Sequence, residues 1–205
     1  MADPSYIVDG VLEDGEAWVA ISHTSLSLPA ATVTWASTND GQTGDFSQYM
    51  DLVIIAYTRS DDNSIINYLR MNFNNREGER HSIQWFFGNG SAAYGSYSAG
   101  TTTPQAIGVV LGGNAVTNGF SCTVAHLSDI NSGKMKSGMT ASAGEADSVG
   151  EVLLNAINWR VEQPGVGGAD RTSAIFEIDL TTGDDDFVAG SMFSLFGILP
   201  RMVTA

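Results

Sequence analysis

The 205-residue chain reads as an all-β protein, an antiparallel β-sandwich or jelly roll of about eight to ten strands behind a short N-terminal arm. Three observations predict this class. Apolar and polar residues alternate in short bursts, a period that places successive side chains on opposite faces of a strand. The bursts are separated by TNDGQTGD, SDDNS, GNGSAAYGSYSAG, GGNAVTNG, EQPGVGGAD and TTGDDD, all compositions that turn a chain. Near the C-terminus, AGSMFSLFGILP (189–200) contains Gly190 and Gly197, each costing roughly 1 kcal/mol inside a helix, so it too reads as a strand. Met192, Ser194, Phe196 and Ile198 then point one way and Phe193, Leu195 and Gly197 the other. Both faces are largely apolar, the pattern of a strand inside a layered sheet.

In chain order the strands are EAWVAISHT (16–24), ATVTWAS (31–37), YMDLVIIAYT (49–58), SIINYLRMNF (64–73), HSIQWFF (81–87), QAIGVVLG (105–112) and GFSCTVAHL (119–127). VLLNAINWRV (152–161), SAIFEIDL (173–180) and the closing segment follow. One stretch supports a second reading: Val149, Val152, Leu153, Ala156 and Ile157 also fit helical spacing, so a helix over 149–158 competes with a strand there. Alternation nominates Trp35, Val53, Ile55, Leu69, Val124, Ile175, Phe193 and Leu195 for the core.

A chain of this length makes one domain that buries roughly 70% of its unfolded surface. Residues 16–205 form the sandwich and residues 1–15 the arm, in which Tyr6, Ile7, Val8, Val11 and Leu12 precede the regular strand series. Exposed apolar residues on a highly charged chain call for a partner that covers them. The single Cys122 excludes an internal disulfide and reads as a small buried residue of its strand. A net charge of −14 with only nine Lys and Arg argues against direct nucleic-acid binding, which needs a basic patch. No stretch approaches the ~20 apolar residues of a membrane-spanning helix. The N-terminus MADPSYIVDG lacks the basic and apolar regions of a signal peptide, so folding in the cytoplasm is expected.

Nothing in the sequence assembles a catalytic, cofactor or metal site. His23, His81 and His126 lack metal-ligand spacing, and no nucleophile or phosphate-loop motif occurs. Asp184, Asp185 and Asp186, like Asp61 and Asp62, read as solvated turns, because calcium needs six to eight oxygens from a shaped loop. Trp18, Trp35, Trp85 and Trp159 could stack on sugars, but three of them lie in alternating segments, where an aromatic usually packs the core. Tyr94 and Tyr97 lie in a small-residue segment read as a loop, and are the candidate exposed contacts for a partner or glycan.

FSQYMDLVII (46–55), NSIINYLRMNF (63–73), SGKMKSGMTASAG (132–144) and RTSAIFEIDLTTGDDDFVAGS (171–191), closed by AGSMFSLFGI (189–198), together resemble a β-sandwich domain of tailed-bacteriophage virion proteins. Phe196 stands where the closing phrase of that family more often has Tyr. The resemblance spans Gly15 to Ile198 and implies a structural role with no catalytic residues to carry over. It implies a virion protein made in the host cytoplasm, as a capsid decoration (cement) protein or a piece of tail fibre. The absence of a repetitive shaft favours decoration: a homo-oligomer, with a trimer expected from local three-fold symmetry, bound to the major capsid protein through the arm. The alternative is a tail-fibre or receptor-binding module that recognises a host surface glycan.

Overall fold

The computed structural model describes residues 7–8, 11–12, 18–74, 80–101, 105–146, 149–160 and 174–199. In chain order the strands are β1 (Ile7–Val8), β2 (Val11–Leu12), β3 (Trp18–Ser25), β4 (Thr32–Ala36), β5 (Asp51–Thr58), β6 (Ile66–Phe73) and β7 (Arg80–Gly88). Then come β8 (Ala93–Thr101), β9 (Gln105–Leu111), β10 (Ser121–Ser128), β11 (Lys136–Ala146), β12 (Val149–Arg160), β13 (Glu177–Thr181) and β14 (Met192–Ile198). Among the described residues there is a single 3-10 turn, Phe46–Gln48, capped by Asp45, whose carboxylate accepts the Ser47 N–H at 3.0 Å.

Twelve of these strands form two antiparallel sheets, ordered β3-β14-β5-β10-β11-β12-β7-β8 and β4-β13-β6-β9. The all-β sandwich expected from the alternation is the fold observed. The closing segment lies between β3 and β5, pairing Leu195 with Ser22 and Ile54. Phe193 and Leu195 are fully buried, and the Phe193 ring meets Phe187 edge-on at 4.9 Å. Gly197 is required here: a β-carbon would lie 2.2 Å from the ring of buried Tyr49, whose hydroxyl donates to the Thr43 carbonyl at 2.8 Å.

The core lies between the sheets. Val33, Trp35, Leu69, Met71, Phe73, Ile178 and Leu180 of the small sheet meet Leu52, Ile54, Ala125, Leu127, Ile157 and Trp159 of the large one. Each such side chain contributes about 1.5–3 kcal/mol by leaving water. At the β9 edge the two sheets draw close, because Gly108 has no side chain to hold them apart: a β-carbon there would be 2.2 Å from Thr123 Oγ1. Buried hydroxyls bridge the seam. Ser142 Oγ accepts the Val109 N–H at 2.8 Å, and the Thr140 hydroxyl donates to the Ile107 carbonyl at 2.6 Å. Beyond this seam β7 and β8 extend past the small sheet, which ends at β9.

Several expectations change. The segment 149–158 is strand β12, paired along its length with β11 and β7, and its buried residues Leu153, Asn155, Ile157 and Trp159 recur every second position. Trp35, Val53, Leu69, Ile175, Phe193 and Leu195 are buried as expected, but Val124 is exposed and Ile55 only half-buried. Both point to the outer side of the large sheet, away from the small one. Cys122 shares that face and is half-buried rather than enclosed. Strands β8 and β11 lift the count above the eight to ten expected from alternation alone. They are rich in Gly, Ala and Ser, so their alternation carries little hydrophobic contrast.

Of the arm, Ile7–Val8 and Val11–Leu12 form a small hairpin, with Ile7 opposite Leu12 and Val8 opposite Val11. Tyr6 lies outside the described residues.

Candidate functional site

Two surfaces stand out, one on each side of the large sheet. The first is the outer face of β5, β10, β11, β12 and β7. Strand registry aligns Ile55, Val124, Ala141, Leu154 and Phe86 in one row across all five strands. Beside it runs a second row of Val53, itself buried, His126, Met139, Ala156 and Gln84. Met139 is 72% exposed, Phe86 66% and Leu154 51%. Among the outward positions of these five strands, the side chains described include no Lys or Arg. The carboxylates there are Glu145 and Asp51, and Asp51 is occupied: one oxygen lies 2.7 Å from His126 Nε2, and the other accepts the Asp129 N–H at 2.8 Å. With strands about 4.8 Å apart and outward residues about 6.8 Å apart along each, these two rows cover roughly 330 Å². That is the size of the largest apolar patch of a typical monomer, a class of patch that often serves as a contact site.

The second surface is a cleft on the inner side, where β7 and β8 overhang the small sheet. Tyr68, Ile83, Trp85, Phe87, Tyr94, Ala106 and Leu153 line a space of about 240 Å³. The Phe87 and Tyr94 rings lie 4.8 Å apart at 45°. At the margin of the cleft the Tyr68 hydroxyl donates to Glu151 Oε2 at 3.3 Å. Burial, followed by the charge of Glu151, pushes the Tyr68 hydroxyl up to about 12. Burial likewise raises the Glu151 carboxyl above its usual range, and the Tyr68 hydrogen bond partly offsets that rise.

Tyr94 and Tyr97 belong to edge strand β8 rather than to a loop. They are three residues apart, so alternation separates them. Tyr94 pairs with Phe87 and turns into the cleft, whereas Tyr97 pairs with Gln84 on the outer face and is 74% exposed. The two therefore do not make one contact site.

The remaining polar candidates do not converge. His23 Nδ1 lies 2.9 Å from Ser194 Oγ on β14, and His126 is held by Asp51. His81 is buried, which alone lowers its pKa to about 4. The acidic turns do meet: the Asp61 N–H donates to the Asp186 carbonyl at 3.0 Å, and the Asp186 N–H donates to Asp61 Oδ1 at 2.9 Å. Even so, no group of three or more ligating side chains suited to a metal ion occurs among the described residues.

Sequence reasoning missed Tyr68, Phe86, Trp85, Glu151, Met139 and Leu154. For the outer face a signal existed: GFSCTVAHL and VLLNAINWRV carry apolar residues at both parities, so one set had to face away from the core. The cleft left no such trace, because it depends on how far one sheet extends past the other. Comparison with protein-family models, curated proteins and solved structures found no match for this chain. The fold and these two surfaces are therefore the basis for function.

Proposed function

We propose that this chain is a non-catalytic structural subunit of a tailed-bacteriophage particle, a capsid decoration protein that binds the assembled head through the outer face of its large sheet. One observation carries the reading: a chain of net charge −14 presents an exposed, largely apolar face across β10, β11, β12 and β7, on which no described side chain is Lys or Arg. An acidic surface keeps subunits soluble and apart. A largely apolar sheet face is where such a subunit can lie against another protein with little desolvation of ions. The occupant is the outer surface of the shell, built from the major capsid protein, and the likeness of the closing segment and its neighbours to virion sandwiches points the same way. Three copies around a local three-fold axis would bridge adjacent shell subunits. Because the protein binds the assembled shell alone, it stabilises the head by mass action.

The test is occupancy on heads prepared without the native protein. The wild-type chain should decorate them over the whole shell and raise their melting temperature. Met139→Thr with Leu154→Thr should fold normally and bind at least tenfold more weakly, since two central apolar contacts of about 1–2 kcal/mol each are removed. Deleting residues 1–12 separates the arm from the sheet face: loss of binding only in that variant would make the arm the anchor. Density confined to the tail would overturn the reading in favour of a fibre or receptor-binding module.

A further inference from the structure

We propose that the cleft under β7 and β8 is a binding site for an organic ammonium group, the methylated head of a choline-like or alkylated amine. Four aromatic side chains, Tyr68, Trp85, Phe87 and Tyr94, come from three strands onto one small space. Aromatic rings attract a cation held near their faces, and quaternary ammonium groups suit them best because they need no hydrogen-bond acceptors. A carboxylate completes the set: Glu151 sits beside the cleft, linked to it through the Tyr68 hydroxyl at 3.3 Å. Among the described residues, no Lys or Arg lines the space to oppose a cation.

Charge and size discriminate among ligands. An anion meets Glu151 and a net charge of −14. An acyl chain would fill the aromatic part but bring no cation to the half-buried Glu151, leaving it only the Tyr68 hydrogen bond. A sugar needs several hydrogen bonds, and the lining supplies few polar groups, one of them already directed at Glu151. At about 240 Å³ the space falls below the roughly 300–1,000 Å³ of drug-sized pockets, so it suits a compact head group. Burial raises the Glu151 carboxyl; a bound cation would favour its charged form. Binding should therefore weaken as the pH falls through the carboxylate range.

This site does not depend on head attachment, and its test uses the isolated full-length protein. Choline chloride would be titrated while the Trp85 indole resonance is followed by NMR, against sodium chloride at equal ionic strength and against methyl α-glucoside. A saturable shift with choline alone is expected. Tyr94→Ala, at a side chain 55% exposed on an edge strand, should weaken it at least tenfold. The isosteric Glu151→Gln should weaken it severalfold and remove the pH dependence. Tyr97→Ala, on the opposite face of the same strand, should change nothing. No saturable shift with choline, an undiminished shift in both Tyr94→Ala and Glu151→Gln, or a shift with the glucoside in place of choline would each overturn the proposal.

Discussion

Strand β10 places Ala125 and Leu127 on one side of the large sheet and Val124 and His126 on the other. The first two are buried against the small sheet, while Val124 is 38% exposed. The same division runs through β11 and β12, where Ile157 is enclosed and Met139 and Leu154 are not, whereas on β5 the outward Val53 is as buried as the inward Ile54. Both faces are apolar enough to be a core. What separates them is the small sheet, whose four strands cover only one side. Apolar character thus marks a face that is to be covered, but it does not say by what. On the inner face the cover is intramolecular. On the outer face we assign it to the particle.

The contrast can be broken most sharply from the inside. Phe193→Ala removes a fully buried ring that packs edge-on against Phe187. It should destabilise by about 3–5 kcal/mol, enough to threaten folding, as read by denaturant melts. Acid tests the same face. His81 is buried with a pKa lowered from 6.5 to about 4. Above pH 6.5 it is neutral in both the folded and unfolded states, and its site stabilises fully. Between pH 6.5 and 4 the unfolded chain takes up the proton first, so stability falls with pH, by about 3 kcal/mol in total at about 1.4 kcal/mol per pH unit. His81→Gln should flatten that slope; an unchanged slope would show that His81 is not the group responsible.

Gly197→Ala pushes a methyl group into the Tyr49 ring, which is enclosed and cannot withdraw. Overpacking of this kind should cost about 1–3 kcal/mol in a thermal or urea melt. The smallest effect belongs to the outer face: Met139→Thr and Leu154→Thr should each change the stability of the free protein by no more than about 0.5 kcal/mol. Losses as large as those from Phe193→Ala would mean that the outer face is already part of an intramolecular core, and the comparison would fail. Loss of head binding with an unchanged melt would sharpen it.

Much of this was legible along the chain. Short alternating bursts and turn compositions specify strands wherever the apolar contrast is strong, as in YMDLVIIAYT and AGSMFSLFGILP. They weaken where Ala, Gly and Ser replace large residues, and so the composition of β8 is that of a loop. In VLLNAINWRV, helical and strand spacing coexist. Hydrogen bonding to β11 and β7 decided it, a partner that local periodicity cannot reveal.

By itself, then, the sequence determined an all-β chain with an acidic surface, no disulfide and a buried closing strand. These follow from residue types and spacing within a few positions, which local chemistry reads directly. The tertiary structure decided which apolar face is enclosed, that Tyr94 and Tyr97 point to opposite sides, and that Tyr68, Trp85, Phe87, Tyr94 and Glu151 meet at one cleft. The physical reason is the unequal width of the two sheets. Eight strands cannot be covered by four, so pairing between distant segments determines both where the core stops and where a surface is left to bind.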